Sequence, residues 1–372
     1  MTRFTSTLGL AVCLAITLIT PASANNERTT IRVRPTQVIQ NALNTAPAGA
    51  KVIVDAGTYY EQLEIKTDGI ELIGRDGNVK LIAPDQHSSN ICSGLAGPNT
   101  EAGICIHGGE IDLEVFKDLQ EHRNFTSAKT YVKGVSVTGF EIRDFSGLSV
   151  AIVAGQDTQV SRNKFVNSKR YGALSVGSKN SKISRNVVSS TDPKMLFIGI
   201  CVDDQRDAKV SDNTVSGYNV GLCVQTNRAQ IRNNDVSNAC FGIFVDPFVI
   251  GAEIRGNHVG ATDPRCFNTN LEGSGSAFGI FLIGANDTIV RDNIVTGQLK
   301  PDPNDEKVFA VGIIVLDFDS SPNFFLAASG NQVKRNTVTG NSFDIFIGAT
   351  GPNNVAKDNV CIGAAEGVCT PP

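Results

Sequence analysis

The chain has 372 residues, with 33 Lys plus Arg against 37 Asp plus Glu, a formal charge of −4 and no basic block. That length buries a sizeable core without disulfide stapling, and the charge argues against nucleic acid and anionic membrane surfaces as partners. The absence of Trp, with 36 Gly and 31 Asn, argues against a mostly helical protein.

Residues 1–24 read as a secretory signal: basic Arg3, apolar Leu8–Ile19, then Ala22-Ser23-Ala24 before Asn25. An apolar run of about 12 residues falls short of the roughly 20 that span a bilayer, so cleavage, secretion to the extracellular side and no membrane span are expected. The mature part, 25–372, then keeps eight cysteines, an even count that points to disulfides in an exported chain.

Thr36–Leu43 reads as a short amphipathic helix, with Thr36 as N-cap and Val38, Ile39, Ala42 and Leu43 as its apolar face. Short strands follow at 52–54, 55–59, 63–65 and 70–74, separated by Gly and Asp turns. Residues 86–133 interrupt this pattern as an inserted segment, and the apolar spacing within 112–120 predicts a surface helix there.

From about residue 160 a motif recurs: Gly-Ile-x-Val, seven to nine residues, then apolar-x-x-Asn-x-apolar. Its Asn residues are 163, 186, 213, 234, 257, 293, 336 and 359, most of them 21 to 27 apart, with two longer gaps of 36 and 43 that carry insertions. A period near 23 with β-branched pairs and turn glycines describes a coil of short strands, each coil adding one strand to each of several parallel sheets. Asn at a fixed turn position can stack on the next coil as a ladder, satisfying polar groups that the turn buries. The amino-terminal helix would cover the open end of this solenoid.

The run Val38-Ile39-Gln40-Asn41-Ala42 through Ala56-Gly57-Thr58-Tyr59, followed by the Asn-containing coils, resembles the right-handed parallel β-helix proteins of the pectate-lyase-like group over about 31–363. The resemblance implies an all-β, single-domain right-handed parallel β-helix with an amino-terminal capping helix. For activity it implies only a superfamily of lyases, hydrolases, epimerases, esterases and adhesins. The Asn-Thr-Asp, Gly-His-Gly and Arg-Ile-Lys motifs of its pectin hydrolases are absent.

Aligning the coils on the Val of Gly-Ile-x-Val places Leu174, Val176 and their equivalents inward, and Ser175, Cys201, Cys223, Phe244, Phe281 and Ile314 outward. Cys201 and Cys223 then face each other on neighbouring coils within disulfide reach. The other cysteines can pair locally as 92–105, 240–266 and 361–369, one choice among the 105 connectivities open to eight. Segments 189–197, 260–277 and 296–309 enter before this strand, while 246–251 and 317–330 leave after it, so both sets would wall a cleft.

At the rim lie Asp203, Asp204, Gln225, Asp246 and Asp317, with Lys194 and Arg206 in flanking loops. Asp203 and Asp246, two coils and about 10 Å apart, are candidate catalytic carboxyls for hydrolysis. Asp203, Asp204 and Asp246 are the candidate ligands for a Ca²⁺ ion, with Lys194 or Arg206 as the base of a β-elimination. Gln225, Phe244, Phe281 and Asp317 are candidate substrate contacts. Turn chemistry also accounts for the aspartates as solvated turn residues. The histidines, 87, 107, 122 and 258, show no metal-ligand spacing.

The expected function is a monomeric secreted enzyme, a polysaccharide lyase or glycoside hydrolase, acting on an extended acidic polymer. The alternatives are a non-catalytic extracellular binding protein and a small-molecule isomerase or cyclase using the Phe244/Phe281 groove.

Overall fold

A computed structural model describes residues 28–370 apart from 118–119, 321–323 and 365–367; the signal read at 1–24 lies outside them. Among the described residues, three parallel sheets of twelve, twelve and ten strands wind into one solenoid. The first sheet runs from Thr30–Val33 to Val355–Lys357 and the second from Gly57–Tyr60 to Cys369–Thr370. The third runs from Leu63–Ile65 to Phe343–Ile347. No helix among the described residues is long and apolar enough to cross a membrane.

The corner between the first two sheets explains the Asn repeat. All eight Asn residues are nearly fully buried, and each bonds to the next. The Asn213 amide, for example, donates to Asn234 Oδ1 at 2.9 Å and to the Ile183 carbonyl at 3.0 Å. The residue before each Asn is left-handed: φ is 53° to 57° at Arg162, Arg185, Asp212, Asn233, Asp292, Arg335 and Asp358. That conformation costs a non-glycine residue about 1–2 kcal/mol, and the ladder's buried hydrogen bonds hold it. The motif glycines answer a different constraint. A methyl group at Gly199, Gly221 or Gly242 would overlap a valine Cγ1 of the second sheet and the carbonyl of the next glycine in the column.

The amino-terminal helix is Ile39–Thr45, with Ile39 and Leu43 buried against the first coil. Thr36 is not its cap and Val38 is exposed. The Glu61 carboxylate instead accepts from the backbone N–H groups of Ile39 at 2.9 Å and Gln40 at 3.0 Å, a cap supplied by a neighbouring turn. In the segment 86–133, Ala102–His107 is a strand of the third sheet, and Gly109–Leu113 pairs antiparallel with Phe125–Thr130. The helix expected at 112–120 is replaced by the end of this hairpin and an irregular loop, with 118–119 outside the described residues. Among the described residues four disulfides form, 92–105, 201–223, 240–266 and 361–369.

The third sheet presents three outward rows. One runs Tyr171, Ile198, Val220, Phe241, Phe278, Val311. The next runs Leu174, Cys201, Cys223, Phe244, Phe281, Ile314, Phe346. The alignment at 171–176 therefore slips by one residue from the expected one. Ala173 and Ser175 pair with Ile200 and Val202 and point inward, while Leu174 and Val176 point out. A one-residue slip exchanges the faces of a strand, and here every residue from 171 to 176 is buried, so alternation left no trace in the sequence.

Candidate active site

The third outward row places Asp203, Gln225 and Asp246 on successive strands, just past the inward Val202, Val224 and Val245. Over them lies the loop that joins the two strands of the 109–130 hairpin and carries Glu121 and His122. Gln225 joins the two layers: its Nε2 donates to Glu121 Oε2 at 2.9 Å and its Oε1 meets His122 Nε2 at 3.0 Å. His122 Nε2 is also 3.7 Å from Asp203 Oδ2, and its Nδ1 is 3.1 Å from the Arg123 carbonyl oxygen. Because the glutamine amide is oriented by the Glu121 carboxylate, both imidazole nitrogens face oxygen atoms.

The Cys201–Cys223 disulfide forms part of the floor, with Cys223 Sγ 3.8 Å from Glu121 Oε2 and 3.9 Å from Asp246 Oδ2. Beside it Tyr171 is fully buried, edge-on to His122 and Phe197, and its hydroxyl finds no hydrogen-bond partner among the described residues. Arg170 stacks on Phe197 at 4.0 Å and donates to the Ala96 carbonyl, which fixes the guanidinium at one edge of the cluster.

These surroundings shift proton affinities in one direction. Burial lifts the Asp246 carboxyl well above the ordinary carboxylate range, helped by the charges of Glu121 and Asp203 and opposed by the Gln225 amide. Burial also raises Glu121 and Asp203, with His122 pulling each back down. The Tyr171 hydroxyl is held well above its usual range by burial and by Glu121, so it stays neutral.

The structure thus brings Asp203, Gln225 and Asp246 together. Asp246 is buried and Asp203 half-buried beneath the 121–122 loop, not solvated turn residues. Asp204 turns the other way: Ser175 Oγ donates to its Oδ1 at 2.6 Å, its backbone N–H donates to Thr226, and burial raises it to about 6. Asp203, Asp204 and Asp246 consequently do not converge on one point among the described residues. Lys194 is exposed and ion-paired with Glu272 at 2.7 Å, a bond that raises its proton affinity and opposes a role as base. Arg206 lines a separate cleft with Lys179, Asp207 and Lys209. Asp317 ties loops together by accepting from Ala328 and Thr350. Phe244 and Phe281 sit in an aromatic cluster with Phe241 and Phe278.

Sequence reasoning missed Glu121, His122, Arg170 and Tyr171. The one available signal was the adjacent acid and imidazole at 121–122, in an insertion that leaves the same sheet edge as the other cleft-walling loops.

The family described as periplasmic copper-binding protein (NosD) matches residues 99–298, more than half of the chain. The chain belongs to the NosD family. Its matched region holds the whole acidic cluster. A search of curated proteins returned no match. Among solved structures, the A-module of the Azotobacter vinelandii mannuronan C-5 epimerase AlgE6 superposes with a TM-score of 0.52 at 14% identity, over 90% of this chain and 94% of that one. The PL6 family alginate lyase AlyGC superposes with a TM-score of 0.51 at 13% identity, over 90% of this chain and 51% of that one. At these identities the likeness shows the fold.

The donors present bear on the copper in the family's description. One group of described residues gathers metal-binding atoms within 4.8 Å: Glu121, Cys201 and Cys223. The two sulfurs are bonded to each other, so neither is the thiolate that copper(I) prefers, and a lone carboxylate remains. With the disulfide closed, this NosD-family chain does not offer a fitting copper site there.

Proposed function

We propose that this NosD-family chain is an extracytoplasmic glycoside hydrolase whose acid–base machinery is the Glu121, Asp203 and Asp246 cluster. The observation that carries this reading is the gathering of three carboxyls in one water-poor rim, all with raised proton affinity and Asp246 the most raised, beside a buried phenol without a hydrogen-bond partner among the described residues. Glycosidic cleavage needs one carboxyl that keeps its proton near neutral pH and another that is ionised. Asp246, the most deeply buried, is assigned as the acid that protonates the leaving oxygen. Asp203, whose side chain is 31% exposed and faces His122, is assigned as the base that activates water. Tyr171 donates to a substrate oxygen, and Gln225 and His122 hold the two layers in register.

The lyase form receives less support. Lys194 is engaged by Glu272, Arg206 lies in another cleft, and Tyr171 is pushed away from the ionised state a base requires. The four disulfides support an oxidising compartment, and the family's periplasmic description agrees with it. The test is incubation with a glycan panel, reading reducing ends and unsaturated products separately. Reducing ends that vanish in Asp246→Asn are expected. Unsaturated products would move the assignment to a lyase, and retention of a glycan without cleavage would make the protein a binding module.

A further inference from the structure

The face that carries the acidic cluster changes character along the solenoid. Phe244 lies two residues before Asp246, which follows directly on the end of the strand Phe241–Val245. Its ring is 5.1 Å from Phe281, and Phe281 is 4.9 Å from Phe278. Phe278 then lines a cavity of about 560 Å³ with Phe309, Val311, Ile314, Phe343 and Phe346. From the Asp246 strand to the Phe346 strand is three strand spacings, about 14 Å at about 4.8 Å each.

The cavity's two polar side chains, Lys300 and Ser342, each already hold a partner. The Lys300 backbone N–H donates to Ser342 Oγ at 2.9 Å, and its ammonium donates to the Asp305 carbonyl. A sugar hydroxyl placed there would lose its hydrogen bonds to water and gain few in return, which is unfavourable, whereas hydrocarbon would gain. Phe309, Phe343 and Phe346 nonetheless remain 57%, 38% and 44% exposed, an apolar surface left open to solvent beside a polar site. A linear polyuronate has no use for this half of the groove. A molecule with a saccharide at one end and a hydrocarbon at the other matches both halves and their order.

Resting on the hydrolase reading above, we infer that the substrate is a glycoconjugate whose glycosyl group sits at the Asp203/Gln225/Asp246 rim and whose hydrocarbon aglycone passes Phe244 and the 8% exposed edge of Phe281 to seat in the cavity of Phe309, Phe343 and Phe346. The bond broken joins the anomeric carbon to the aglycone oxygen, the proton comes from Asp246, and water supplies the hydroxyl on the sugar.

Calorimetry with octyl, decyl, dodecyl and hexadecyl glucosides, each below its micelle-forming concentration, tests the aglycone independently of turnover. Affinity is expected to rise about two- to fourfold per methylene and to level off once the chain fills the cavity. Phe346→Asp, or Phe309→Ser at a second exposed position, is expected to remove at least tenfold of the hexadecyl affinity with an unchanged melting temperature. Chain-length-independent binding overturns the inference, as does a dimer that Phe346→Asp converts to monomer, since the face would then be an interface between copies. Chain-length-dependent binding without cleavage of any glucoside or panel glycan would overturn the hydrolase reading and keep the apolar track. Cleavage of panel glycans with a flat chain-length series would do the reverse.

Discussion

The two halves of the third sheet's outer face share one backbone and differ in almost everything else. Around Asp203, Gln225 and Asp246 a loop with Glu121 and His122 folds down and shields carboxyls from water, which raises their proton affinities. Three strands beyond Asp246, Phe343 and Phe346 meet solvent beside a largely apolar cavity whose polar liners, Lys300 and Ser342, bond to each other. Strand pairing is continuous through both, so the frame does not dictate which chemistry a coil displays. In a solenoid each coil needs only its neighbours for stability, and the outward residues are left free to differ.

The largest test of this contrast is Asp246→Asn. Removing a general acid costs about 10²- to 10⁴-fold in rate, and a reducing-end assay on any cleaved glycan reads it. The melting temperature should hold or rise, because a buried, raised carboxyl is replaced by a neutral amide. A large fall in stability with activity retained would make Asp246 a structural residue.

The frame beneath the two halves can be compared directly. Asn213→Leu lies under the acidic half and Asn336→Leu under the apolar half, and each removes the same ladder bonds. Each should destabilise the fold by about 3 kcal/mol, measured by denaturant unfolding. Unequal losses would show that the face chemistry feeds back on the frame.

Acid titration sharpens the comparison next. Asp204 has a folded value of about 6 against an ordinary 3.8, so between about pH 4 and pH 6 the folded chain holds a proton that the unfolded chain has released. Stability is therefore greatest below that window and falls as pH rises through it, by on the order of 2–3 kcal/mol for this group. Asp203, Asp246 and Glu121 act with the same sign. Asp204→Asn should flatten its share of the slope in unfolding measured from pH 4 to 7, and an unchanged slope would mean that Asp204 is ionised throughout.

The smallest effect concerns the cap, remote from both halves. Glu61→Ala should cost about 1 kcal/mol, because two helix N–H groups lose their acceptor, while Thr36→Ala should fall within about 0.5 kcal/mol of the parent in thermal melts. The reverse ranking would restore Thr36 as the cap.

What the sequence determined by itself was whatever repeats. The Asn at 163 through 359, the Gly-Ile-x-Val column and the facing of Cys201 on Cys223 are local patterns copied coil to coil, and stacking turns each into a ladder, a close approach or a disulfide in the expected place. Asp203, Gln225 and Asp246 were legible for the same reason, as equivalent positions on successive coils. Tertiary structure alone decided the rest. Glu121 and His122 reach the site from an unrepeated loop about a hundred residues away in sequence from Gln225. Tyr171 entered through a one-residue slip in a strand buried on both faces, where hydrophobic alternation carries no information. Glu61 takes the place expected of Thr36 because the adjoining turn holds its carboxylate against the N–H groups of Ile39 and Gln40. A periodic pattern specifies contacts between like positions; contacts between unlike positions depend on how loops pack, and only the folded chain contains that.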